Sequence, residues 1–216
     1  VLYTRREDVA AAVNEQHMNP RYLAGYALHD DLSASTDLAA VVSEADVLVM
    51  GVPSSGFRQT LVEVRPHLRP LIPVVSLAKG FEVGSRKRMT QLVAEELPGH
   101  PVGVLTGPNL AKEILRGSAA AAVLAFVDLA IAERLQDVVS SDLFRVYSST
   151  DVVGCELGGA LKNVIALAAG MADGLGTGDN TRAAVMTRGL AEVTRLGVAL
   201  GGDPATFSGL AGMGDL

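Results

Sequence analysis

Tryptophan is absent from this 216-residue chain, and aromatic residues make up only 4% of it. A core must therefore be built from Ala, Val and Leu, a composition typical of helices packed closely on a parallel sheet. Cys155 is the single cysteine. No intrachain disulfide can form, which suits a reducing cytoplasm. Charge is also sparse, at 19% of residues against 49% apolar, and the mean hydropathy is +0.31. That balance excludes a disordered chain and supports a sizeable core. Positive charge is in deficit: the net charge is −6, and the densest basic run is Arg86-Lys87-Arg88. Nucleic acid is accordingly excluded as a partner. The four histidines are scattered without ligand spacing, so no metal site is expected. An initiator Met and a signal peptide are lacking too. Val1-Leu2-Tyr3 reads as the tail of a strand and Gly212 to Leu216 as a glycine-rich turn, so both ends read as cut.

What is present has a clear order. Val47–Val52, Val74–Leu77, Val102–Leu105, Ala119–Ala125 and Phe144–Tyr147 are short apolar runs that read as strands, the first buried on both faces. Helical patterns lie between them at Arg6–Glu15, Asp37–Glu44, Gly56–Arg65, Arg86–Glu96, Ala111–Arg116 and Asp128–Val139. Thr36 and Ser55 stand where helix starts are expected. Alternating strand and helix predict an α/β fold, a Rossmann-type, mostly parallel sheet. Ligands on such sheets bind beyond the carboxyl ends of the strands, here Pro53-Ser54, Lys79-Gly80 and Gly107-Pro108-Asn109. After Ser149 the texture turns helical, with Val152–Ala172 and Thr181–Leu200 as long segments. The expected division is therefore 1–149 for the sheet domain and 150–216 for a helical one. Val152–Ala172 has the length of a membrane span, but Glu156 and Lys162 would each cost roughly 2.5–3.5 kcal/mol in lipid. It reads as a core helix, with no membrane insertion.

Lys162, amid Gly158-Gly159-Ala160-Leu161-Lys162-Asn163-Val164-Ile165-Ala166, is the residue most able to carry chemistry. Desolvation there would lower its proton affinity and fit it for proton exchange with a hydroxyl. A lysine snorkelling to water from a helix surface reads equally well. The chain has four lysines against fourteen arginines, so lysines in apolar contexts, Lys79 and Lys162, stand out. Lys79-Gly80 puts a cation at the sheet's edge, where a phosphate or a carboxamide could be met; a plain turn fits as well. Gly107-Pro108-Asn109 either presents helix-start amides to an anion or makes a tight turn capped by Asn109. The clusters Gly174–Gly178 and Gly209–Gly214 follow no strand and read as loops rather than nucleotide fingerprints. Arg5-Arg6, just after a strand, suits the 2′-phosphate of NADP, where an acidic residue would suit NAD.

These motifs in order resemble the bacterial glycerol-3-phosphate dehydrogenases. The carrying residues are Val1–Arg6, Val52-Pro53-Ser54, Ser76–Gly80, Thr106–Ala111, Phe144–Tyr147, Gly158–Ala166, Thr187–Glu192 and Gly209–Leu216. The resemblance implies a Rossmann domain followed by a helical substrate domain, reversible reduction of dihydroxyacetone phosphate to sn-glycerol 3-phosphate for phospholipid synthesis, and a cytoplasmic homodimer. NADP or NAD would be the cofactor, Arg5-Arg6 leaning toward NADP. By the same resemblance Lys162 is the general acid and base, and Lys79, Gly107, Asn109 and Asp215 join it around the substrate. Arg5, Lys79 and Ala111 would touch the dinucleotide. The family's first strand with its glycine-rich phosphate loop would precede Val1, and a Ser-Arg-Asn motif would follow Leu216; neither is in the sequence. Two other readings compete. One is a hydroxyacid or 6-phosphogluconate type dehydrogenase, which shares the Lys-Asn pair but not the approach to Asp215. The other is a cofactor-free remnant acting as a dimerisation or regulatory module.

Overall fold

The computed structural model describes residues 1–216. Seven strands and nine helices follow one another as β1 (Leu2–Tyr3), α1 (Glu7–Gln16), β2 (Ala34–Ser35), α2 (Leu38–Ser43), β3 (Leu48–Met50), α3 (Phe57–Val64), β4 (Val74–Ser76) and α4 (Met89–Glu96), then β5 (Val102–Thr106), α5 (Ala111–Leu115), β6 (Ala120–Phe126), α6 (Leu129–Val139), β7 (Phe144–Ser149), α7 (Val152–Gly174), α8 (Asp179–Ala199) and α9 (Pro204–Ser208). Strands β3 to β7 form one sheet in sequence order, parallel except where β5 meets β6. Strands β1 and β2 form a separate parallel pair.

Period-two alternation decides where the core sits. Val74 packs with Met50, Phe57, Leu61 and Leu92 under α3 and α4, while its neighbour Val75 packs with Leu124, Phe126 and Leu135 under α6. Helices thus cover both faces, as a parallel sheet requires. The antiparallel pair also includes a close contact that requires glycine. Gly103 lies opposite Phe126, and a Cβ on Gly103 would come within 2.4 Å of the Phe126 ring. The ring lies across that bare backbone, and no other residue type fits beneath it.

Between β1 and β3 the sheet is interrupted. Residues of both strands, with Val41, Val42 and Leu77, line a cavity of about 670 Å³. The interruption falls where the resemblance puts the family's first strand. It corrects one expectation: Val49 in β3 is 55% exposed, not buried on both faces, because nothing packs on it from the cavity side. Helix starts also differ. Asp37 itself caps α2, accepting the Ala40 amide at 3.0 Å, so Thr36 is one residue too early. Ser55 caps nothing; Ser54–Gly56 is a 3-10 turn that leads into α3. The segment before Met89 is not helical, because residues 81–88 form a small hairpin with Phe81 bridged to Arg88. Strand β2, two residues long, had no sequence signal of its own.

Helix α7 is 23 residues long and apolar enough to cross a membrane by length and composition. Its first half is buried by this chain, with Val152 and Cys155 packed on Val104 and Ala125 of the sheet and Glu156 and Leu157 also buried. Its second half turns Val164, Leu167 and Met171 outward.

Candidate active site

Three elements converge beyond the carboxyl ends of β4 and β5. Lys79 leaves β4, Gly107 leaves β5, and Lys162 lies in the middle of α7. Asp215 arrives from a 3-10 turn, Met213–Asp215, after α9. Glycine allows the approach on two sides of α7. A Cβ on Gly158 would come within 2.6 Å of the Ala211 carbonyl oxygen, and one on Gly159 within 2.8 Å of Thr106 Oγ1. Gly158 therefore admits the loop that carries Asp215, and Gly159 admits the end of β5. Gly212 completes the loop, since a Cβ there would sit 2.1 Å from the Phe207 carbonyl oxygen.

The Asp215 carboxylate holds both lysines, one on each oxygen. Lys162 Nζ lies 2.6 Å from Oδ1 and Lys79 Nζ 2.6 Å from Oδ2. Lys162 also donates to the Asp215 main-chain oxygen, and Lys79 to the Gly107 carbonyl at 3.3 Å. The Asp215 side chain is 8% exposed and that of Lys162 15%. Lys162 is thus neither a bare lysine in hydrocarbon nor a snorkelling one; a buried carboxylate receives it. Two ammonium groups share one carboxylate, which leaves an excess of one positive charge at the rim of the sheet. Such a site draws a phosphate or the oxygen of a polarised carbonyl.

Other residues singled out in the sequence lie further apart. Asn109 stands on the turn from β5 into α5 and Ala111 opens α5, whose cap position is Leu110, not Asn109. Gly107 is buried with φ at +137°, and a Cβ there would press on the β6 backbone at Ala121 and Ala122, so glycine is required. At the far end of the molecule Arg6 is taken up by Asp8 at 2.6 Å, whereas Arg5 is exposed after β1 and forms no ion pair.

Sequence reasoning missed two polar residues near the site. Glu156, 7% exposed, accepts from the Thr90 amide, the Thr90 hydroxyl and Arg88. Its isolation in an apolar run was the available signal, because a charge there needs a partner. Thr106, 1% exposed, keeps a buried Oγ1 with no hydrogen-bond partner in the protein, next to Gly159. No group of three or more His, Cys, Asp or Glu is arranged to hold a metal.

A mostly parallel sheet with a lysine-bearing helix lodged at its carboxyl edge is a Rossmann-type layout, with the site where such sheets bind their ligands. Comparison with known proteins narrows this. The family model for the NAD-dependent glycerol-3-phosphate dehydrogenase N-terminus matches residues 1–132, and that for the C-terminus matches residues 151–216. The chain belongs to that family. It is 60% identical over its whole length to glycerol-3-phosphate dehydrogenase (NAD(P)+) 2 of Sphingopyxis alaskensis, of which it covers 65%. It is 54% identical over 99% of its length to glycerol-3-phosphate dehydrogenase (NAD(P)+) of Mycobacterium avium, covering 63% of that protein. Among solved structures, glycerol-3-phosphate dehydrogenase from Coxiella burnetii superposes on the whole chain with a TM-score of 0.93 at 35% identity, and the chain covers 66% of it. The chain thus spans a little under two thirds of the length of these curated relatives.

Proposed function

We propose that the protein containing this chain reduces dihydroxyacetone phosphate reversibly to sn-glycerol 3-phosphate with NADPH or NADH. The observation that carries the reading is the pair of lysines held on Asp215 at the sheet's carboxyl edge, in a chain of this family. Lys162 donates the proton that the carbonyl oxygen takes up on reduction and recovers it from the hydroxyl in the reverse direction. Until then its charge, with that of Lys79, stabilises the negative charge growing on the oxygen. Asp215 fixes both ammonium groups, so little reorganisation is needed as the reaction proceeds. Gly107 and Asn109, on the same rim, bound the substrate, and the excess positive charge favours its phosphate.

The dinucleotide fits these residues only in part. When bound it supplies the hydride to the carbonyl carbon. Arg5, exposed and without an ion pair, would meet a 2′-phosphate, which favours NADP, and Lys79 and Ala111 would also contact the dinucleotide. A glycine-rich turn leaving a strand, the usual pyrophosphate seat, is not among residues 1–216. The division at 149/150 into cofactor and substrate domains, a cytoplasmic homodimer and a role in supplying phospholipid precursor complete the reading.

The test is NADPH oxidation by the complete gene product with dihydroxyacetone phosphate, alongside Lys162→Ala. Turnover that falls about 10²–10⁴-fold in the variant, the usual range for a lost general acid, supports both the reaction and the role of Lys162. A folded, NADPH-binding product without turnover overturns the substrate.

A further inference from the structure

Helix α4 begins at an unusual residue. Its N-cap is Arg88, whose guanidinium only donates and cannot accept the free amides of the first turn. The acceptor comes instead from another element, as Glu156 of α7 takes the Thr90 amide at 2.9 Å and the Thr90 hydroxyl and Arg88 Nη1 at 2.5 Å each. The carboxylate is buried and satisfied on both oxygens. A buried charge so engaged holds its partners in one geometry, since each alternative leaves a charge unpaired.

What it holds leads directly to the lysine pair. Arg88 closes the hairpin of residues 81–88, bridged to Phe81, with the Glu82 amide bonded to the Lys87 carbonyl at 2.9 Å. Pinning Arg88 therefore pins Phe81, and Lys79 stands two residues before it. The segment that leads on from Lys79 is held a second time at the residue after Phe81, by Arg58 on Glu82 at 2.6 Å. On α7, Lys162 lies six residues beyond Glu156, about 9 Å along a rigid helix axis. One carboxylate thus ties the stem of Lys79 to the helix of Lys162, a second link running alongside the one through Asp215.

We infer that Glu156 is a positioning residue: it sets the placement of Lys79 relative to Lys162 by anchoring the base of the 81–88 hairpin on α7. This rests on the proposed reaction for its kinetic consequence but not for its geometric one. The experiment uses the complete gene product with Glu156→Gln, which keeps the shape and leaves Arg88 facing an amide. The kcat for dihydroxyacetone phosphate reduction falls at least tenfold and KM rises several-fold. In parallel, a short amine-reactive cross-linker followed by peptide mass mapping joins Lys79 to Lys162 in the wild type, and the yield drops in the variant. Thr90→Val, which removes only the hydroxyl, shifts both readouts the same way by less, and stands in if Glu156→Gln does not fold. A variant with lower thermal stability but unchanged kcat, KM or cross-link yield overturns the inference, leaving Glu156 as a helix cap alone. If the wild type does not turn over dihydroxyacetone phosphate, the substrate reading fails, and the cross-link yield by itself decides for or against Glu156.

Discussion

The two flanks of the sheet obey the same strand chemistry and end in different states. From β4 to β7 every strand has neighbours, both faces are covered, and side chains such as Phe126, Leu124 and Val74 are 1% exposed or less. Strands β1 and β3 are no less apolar, yet they are separate from each other and line a cavity in which Val49 is open. The lesson is that a β-branched run provides the surface for a core, and only a neighbour turns it into one.

The sharpest way to break the comparison is functional. The lysine site sits on the completed flank, while a dinucleotide also needs the interrupted one. Residues 1–216 expressed alone are therefore expected neither to bind NADPH tightly nor to turn over, measured by NADPH fluorescence titration and by the same assay on the complete product. Normal turnover from the 216-residue chain would sink this. Stability gives the next contrast. Phe126→Ala empties space over Gly103 and costs about 3–5 kcal/mol, whereas Val49→Ala, on the open side, changes stability by less than about 0.5 kcal/mol. Urea unfolding followed by circular dichroism reads both.

The third effect is smaller and depends on pH. Arg58 draws in Glu82, Glu95 and Glu96 at 2.5–2.8 Å beside the hairpin. Its guanidinium holds the Glu82 carboxyl down to about 2, and hydrogen bonds from Lys87 and Arg58 lower that of Glu95. Carboxyl groups depressed on folding contribute stability that is whole above about pH 4.5 and is lost as pH falls toward 2. Arg58→Met is expected to be less stable than wild type by a constant amount at neutral pH, with the gap closing across that window. The smallest effect is chemical. Burial pushes the Cys155 thiol up to about 12, so iodoacetamide should leave it unmodified in the folded chain and label it in denaturant, as read by mass spectrometry.

The sheet was legible because most of its strands are short apolar runs, rich in Val in β3 to β5 and in Ala in β6. The β5–β6 reversal was not, since nothing in the apolar run Ala120–Phe126 marks the direction in which it pairs. Strand β2 is Ala34-Ser35 in a polar stretch and is a strand only because β1 lies beside it. At the site, Lys79, Gly107, Lys162 and Asp215 could be named in advance. That one carboxylate receives both lysines could not, because residues 79 and 215 meet only through the glycines of α7 and the 209–214 loop. Glu156 was visible as a charge in an apolar run, but its partners, 66 and 68 residues away, were not.

The unpaired edges of β1 and β3 have one more consequence, for how the chain behaves in a tube. Free amides and carbonyls along a short apolar strand are a template for any extended segment, including the same strand of another copy. Samples of these 216 residues should thus self-associate as their concentration rises, and an apolar peptide able to lie between β1 and β3 should keep them dispersed.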